Sequence, residues 1–207
     1  MIHLKHPMLH KLVLVTCLTA SLSACAPMMV GGALMGSLVA TDRRTSGAQL
    51  EDEGIELRAA SRIRDNLGDL VHINVTSYNR QVLLTGEVPS AQDRVRAEQI
   101  VAKVENVRST VNELAVLGNA TLTQRASDVL VTTRVRAGLV DARDLFANAF
   151  KVVTERGTTY LMGRVTQREA NRATEVVRTT QGVQKVVRLL DILSEDELKA
   201  LTLKPAP

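Results

Sequence analysis

Val82-Leu83-Leu84-Thr85-Gly86-Glu87-Val88 returns later in the chain as Thr159-Tyr160-Leu161-Met162-Gly163-Arg164-Val165. Both runs are apolar and strand-forming, with a glycine late in the run. Each is preceded by an alternating segment, Ile73-Asn74-Val75-Thr76 or Phe150-Lys151-Val152-Val153. Turns are expected between them at Tyr78-Asn79-Arg80 and Glu155-Arg156-Gly157. Period-two alternation on either side of a turn predicts a hairpin in each copy.

The pattern continues outward in both directions. Ser90 with Asp93, and Thr166 with Glu169, have the spacing of helix N-terminal caps. The helices they open align Ala97-Glu98-Gln99-Ile100-Val101 with Ala173-Thr174-Glu175-Val176-Val177. Val107 and Val111 answer Val183 and Val187, which begin a third strand in each copy. Upstream, Ala60, Ile63, Leu67 and Leu70, and then Val131, Val135 and Leu139, recur at helical spacing. There Ser61-Arg62-Ile63-Arg64 aligns with Thr133-Arg134-Val135-Arg136. The order is αββαβ in both copies. The fold class is therefore α+β, with two tandem units at 51–118 and 125–193. Each has a small mixed sheet with one face covered by two helices. Gly86 and Gly163 mark a bulge or a close backbone approach, with helix-on-sheet packing the expected reason. Residues 119–124 read as the linker. Residues 194–207 read as a tail, in which Ser194 and Glu197 could cap a short helix that Pro205 and Pro207 end.

Lys5 and Lys11 flank an uncharged apolar run at 12–22. That run would make a helix of roughly 16 Å, short of the roughly 20 residues a membrane span needs. It is followed by Leu22-Ser23-Ala24-Cys25, which resembles a bacterial lipoprotein cleavage site. The resemblance implies a signal peptide at 1–24 and acylation of Cys25. Several acyl chains anchor stably where one does not. Ala26, in place of an aspartate, points to the outer membrane with the protein facing the periplasm. Residues 25–50, Gly- and Met-rich over 28–39, read as an acylated flexible tether.

Once the signal is set aside, Cys25 and His72 are the remaining cysteine and histidine. This inventory leaves no Cys/His zinc set, no Ser-His-Asp triad and no disulfide. No metal or cofactor is expected, no nucleophile–base set stands out, and the protein reads as non-enzymatic. His72 reads as an exposed strand residue. The net charge of +4, with no Trp, does not argue for nucleic acid. The charge is uneven, however: 8 basic against 11 acidic residues over 51–118, and 12 against 7 over 125–193.

The αββαβ unit, the L-x-G-x-V or L-M-G-x-V strand and the helix leading to a V-x-x-V strand resemble the BON domain. Two such units behind a lipoprotein signal resemble dual BON-domain outer-membrane lipoproteins of the DolP type. Ala40-Thr41-Asp42-Arg43 and Val131-Thr132-Thr133-Arg134-Val135-Arg136 add to the likeness. The resemblance implies phospholipid binding by the second unit and a role in outer-membrane integrity. The residues themselves point the same way. Leu130, Arg134 and Ala137 fall together beside the core stripe of their helix, an apolar chain next to a cation. The candidate lipid-binding residues are Leu130, Arg134, Arg136, Ala137 and Gly163, and the expected partner is an anionic phospholipid surface. The alternative partner is an envelope-assembly protein, for example of the β-barrel machinery, contacted by the acidic first unit.

Overall fold

The computed structural model describes residues 42–203. The signal, Cys25, most of the tether and the terminal prolines lie outside these residues.

The first copy contains α1 (Ser46–Leu67), β1 (His72–Tyr78), β2 (Gln81–Val88), α2 (Ala91–Ala102), β3 (Ser109–Asn112) and β4 (Ala115–Val116). The second contains α3 (Leu122–Asp141), β5 (Phe150–Glu155), β6 (Thr158–Thr166), α4 (Gln167–Arg178) and β7 (Lys185–Leu193). A short α5 (Glu195–Leu203) closes the chain, opened by the Ser194–Glu197 reciprocal cap. Each sheet is mixed. β1 runs antiparallel to β2 and β5 to β6, while β3, β4 and β7 run parallel to the central strand. The order is αββαβ in both copies, with the last strand of the first broken in two.

Several boundaries differ from the sequence reading. α1 begins at Ser46, where Thr45 accepts a hydrogen bond from the Ala48 amide. Residues 42–50, placed in the tether by composition, therefore belong largely to the first helix and its cap. α3 begins at Leu122 behind a Thr121–Gln124 capping box, so the linker is shorter than 119–124. The first helices also align differently. The buried residues are Asp52, Ile55, Ala59 and Ile63 in α1, and Asp128, Val131, Val135 and Leu139 in α3. Ile63 thus answers Leu139 rather than Val135, one helical turn away. Apolar spacing of three and four is nearly unchanged by a one-turn slip, and the buried aspartates decide the register.

Those aspartates hold the hairpin turns. Asn79 and Arg80, and Arg156 and Gly157, all have positive φ, as two-residue hairpin turns require. Asp52 accepts from the amides of Asn79 and Arg80 at 2.7 and 2.8 Å, and from Ser77 Oγ at 2.7 Å. Asp128 accepts from the amides of Arg156 and Gly157 at 2.8 and 2.9 Å. Each helix thereby fixes the turn of its own sheet.

The central strands show where the cores lie. Val82, Leu84 and Val88 of β2 face α1 and α2, and Leu161 and Val165 of β6 face α3 and α4. Leu83, Tyr160 and Met162 point the other way and form, with Tyr78, a third buried cluster. Val111, Val153, Val187 and Leu189 pack against it. The two sheets therefore bury their second faces against each other. Near-continuous apolar runs in the central strands are what burial on both faces requires.

Polar contacts surround that interface. Lys151 Nζ lies 2.7 Å from Glu56, Arg156 lies 3.3 Å from Glu87, and Arg108 lies 3.1 Å from Asp191. Asn74 donates to Glu155 at 3.0 Å and Asn79 to Asp191 at 2.8 Å. Part of the charge difference between the copies is thus answered between them. His72 is half-buried rather than exposed, with Nδ1 2.9 Å from the fully buried Glu87.

The residues before α1 clasp both copies. Arg43 meets both oxygens of Glu169 at 2.7 Å and the Arg164 carbonyl at 3.0 Å. Its side chain is 7% exposed and that of Glu169 is 1% exposed. Arg44 pairs with Asp42 and Asp52 and lies 4.2 Å from the Tyr78 ring centroid. Removing Arg43 would leave Glu169 buried without its cation. Arg43→Ala is expected to lower stability by about 3 kcal/mol in urea unfolding. A change under about 0.5 kcal/mol, the scale of an ordinary surface substitution, would show that the clasp is not structural.

Candidate functional site

α3 has two apolar faces. Its inner face is the core stripe Val131, Val135 and Leu139. Its outer face carries Leu122, Val129, Leu130 and Val140, exposed by 83%, 65%, 57% and 67%. At 100° per residue these side chains, with Ala126, Thr133 and Ala137, fall in one band opposite the core. Arg134 borders the band on one side, and Arg125 and Arg136 border it on the other. Arg134 reaches back to the Gln181 carbonyl at 3.5 Å, and Arg136 to the Val152 carbonyl at 3.4 Å. Both stems therefore lie along the helix flank.

Leu130, Arg134, Arg136 and Ala137 are all exposed on this helix, and Leu130, Arg134 and Ala137 share one side. Gly163 is elsewhere. It is buried in β6, and a Cβ there would sit 2.5 Å from the Ala149 carbonyl oxygen. The equivalent Cβ at Gly86 would sit 2.0 Å from the His72 carbonyl oxygen. Gly86 makes room for the backbone of β1 and Gly163 for the carbonyl of Ala149, in the short helical turn that leads into β5, not for a packed α-helix, and Gly163 takes no part in the outer face of α3. Sequence reasoning passed over Leu122, Val129 and Val140. The same helical projection contains them, but a helix apolar on both sides shows no clear amphipathic contrast.

The first copy lacks this band. With Asp52 matched to Asp128, Val129 answers Glu53, Leu130 answers Gly54, Ala137 answers Ser61 and Val140 answers Arg64. Leu50 and Leu57 remain exposed on α1, but Glu53 and Arg64 interrupt them. Among the described residues, no helix is long and apolar enough to cross a membrane. Within the same residues, no cluster of His, Cys, Asp and Glu could hold a metal ion.

The BON domain family matches this chain twice, at residues 52–118 and 127–194. The chain belongs to the BON-domain family. The outer membrane lipoprotein DolP of Haemophilus influenzae is 34% identical over 188 residues, covering 89% of this chain and 97% of that protein. This BON protein is thus of the dual-domain DolP type, an outer-membrane lipoprotein anchored by lipid. A 21 kDa hemolysin of Actinobacillus pleuropneumoniae is 32% identical over 152 residues, covering 72% of this chain and 78% of that one. Among solved structures, CdsD of the Chlamydia trachomatis type III secretion system aligns over 70% of this chain and 98% of its own, at 14% identity and a TM-score of 0.30.

Proposed function

We propose that this chain is a non-enzymatic lipoprotein facing the periplasm, anchored through acylated Cys25. Its second BON domain binds anionic phospholipid through the outer face of α3 and so supports outer-membrane integrity. The observation that carries this reading is the outward apolar band between arginines on α3, which the same helix of the first domain lacks. Insertion of half the exposed area of four such side chains is worth about 3 kcal/mol. Each arginine near an anionic surface adds about 1 kcal/mol. Such a contact is weak alone but sufficient for a domain already tethered to the bilayer, because the tether makes the second encounter intramolecular.

The test is co-sedimentation of the leaderless Cys25→Ser protein with vesicles. Recovery is expected with phosphatidylglycerol or cardiolipin and not with phosphatidylcholine. Leu130→Asp with Arg134→Glu should weaken binding by at least about tenfold. Equal recovery on neutral and anionic vesicles, or an unchanged double variant, would sink the reading. The rival, in which the acidic first domain docks on envelope-assembly machinery, has less to work with. Glu56 and Glu87 of that domain are already paired with Lys151 and Arg156 of the second.

A further inference from the structure

We infer that the first BON domain carries a binding groove for a phosphate-bearing group, separate from the α3 face. The groove lies between α1 and α2, is open to solvent with a volume of about 310 Å³, and is lined by Arg62, Asn66, Arg96, Gln99, Ile100 and Lys103. Three of the eight basic residues over 51–118 meet there, in a stretch whose net charge is negative.

The second domain supplies an internal control. The positions matching the lining are Gly138, Ala142, Arg172, Glu175, Val176 and Thr179. There the helices close on each other: a Cβ on Gly138 would lie 3.2 Å from Val176 Cγ1. The one cation retained, Arg172, pairs with Asp144 at 3.1 Å and Glu175 at 3.5 Å. In the first domain Arg62 and Asn66 stand where glycine and alanine allow that closure, so the groove is open. Gln99 stands in place of the glutamate and Lys103 in place of a threonine. The same site on the same fold is closed and neutralised in one copy and open and cationic in the other.

The charges in the open copy do not cancel. Both helices end at the groove, which brings about half a negative charge from each. Arg62 answers this by donating to the Lys103 carbonyl at 2.7 Å, and Glu105 holds its other nitrogen at 2.6 Å. Glu105 and Glu51 together face Arg62 and Arg58. Arg96 and Lys103 have no ion-pair partner among the described residues. A planar guanidinium and a point ammonium beside a fixed arginine suit a phosphate oxyanion. Asn66 and Gln99 can meet a hydroxyl beside it, and Ile100 supplies an apolar wall. The volume is at the small end for a ligand site and fits a glycerol phosphate or sugar phosphate.

The experiment uses the full-length lipoprotein in a neutral detergent micelle at constant ionic strength. Glycerol phosphate, inorganic phosphate and glutamate are titrated separately, followed by calorimetry and by chemical shifts of the isotope-labelled protein. Glycerol phosphate should saturate, with shifts centred on Arg62, Arg96, Gln99 and Lys103. Arg96→Glu with Lys103→Glu should weaken it by at least about tenfold. Tighter binding of glycerol phosphate than of inorganic phosphate assigns a headgroup-like ligand, and equal binding assigns free phosphate. Either result supports the groove. Arg134→Glu, on α3, should leave this binding unchanged, so failure here is separable from failure at the membrane face. No saturable shift up to roughly 50 mM ligand, shifts indifferent to the double variant, or glutamate binding as tightly as phosphate would overturn the assignment.

Discussion

Replacing Asp52 with alanine is expected to cost about 4 kcal/mol of stability at neutral pH. Its buried carboxylate is bonded to the amides of Asn79 and Arg80, to Ser77 Oγ, and to Arg44 at 2.8 Å. Alanine would orphan two turn amides with positive φ and leave Arg44 with Asp42 as its one remaining carboxylate among the described residues. Asp128→Ala should cost less, about 2 kcal/mol. Asp128 bonds the two amides of the Arg156-Gly157 turn, while Thr154, at the place of Ser77, bonds Thr159 instead. Urea unfolding of the two variants checks the order. The Asp52 effect should also depend on pH. Burial pushes its carboxyl upward, but the bonds from Ser77, Arg80, Arg44 and Asn79 outweigh burial and hold it below the ordinary aspartate value. A group lowered by folding stabilises the native state above its unfolded pKa, about pH 4 for aspartate, and loses that contribution as pH falls through the lower native value. The gap between wild type and Asp52→Asn should therefore be full at pH 7 and shrink below about pH 4. A gap of constant size would contradict the role given to the charge.

Gly86→Ala is expected to be at least as damaging, about 4 kcal/mol, and Gly163→Ala clearly milder. Gly86 has φ +111°, where an L side chain is strained, and its new methyl would fall 2.0 Å from the His72 carbonyl oxygen. β1 must move away from β2 or the residue must leave its conformation. Gly163 meets a similar carbonyl at 2.5 Å but lacks the positive φ. Only the steric part of the cost applies there. The pair also decides what Gly163 is for. If its place is structural, Gly163→Ala loses stability, and the refolded protein still sediments with anionic vesicles. If it contacts lipid, stability holds and sedimentation falls. Thermal unfolding and vesicle recovery on the same preparation separate these results.

Much of the fold is readable from local pattern because the chain states it twice. The Leu84-to-Val88 run, the Ser90 and Thr166 caps and the positive-φ turns all express short-range rules, and duplication allows each copy to check the other. On the outer face of α3, Leu130, Arg134 and Ala137 are legible by helical projection, while Leu122, Val129 and Val140 are hidden by the lack of contrast between the two faces. The buried aspartates are not legible. A lone carboxylate seven residues into a helix looks solvated until the hairpin it caps is folded against it.

The αββαβ order, the two units, the mixed sheets and the likeness to BON domains can all be read along the chain. These follow from periodicities and caps that operate within a few residues. That the two sheets meet face to face, that Arg43 and Arg44 clasp one copy each, and that the groove between α1 and α2 is open while its counterpart is shut become visible in the folded chain alone. Those outcomes depend on which second faces find each other and on side chains far apart in sequence, such as Arg43 with Glu169. No local spacing rule encodes that pairing. It exists because an apolar strand face and a buried carboxylate each need a partner, and folding brings the partner within reach.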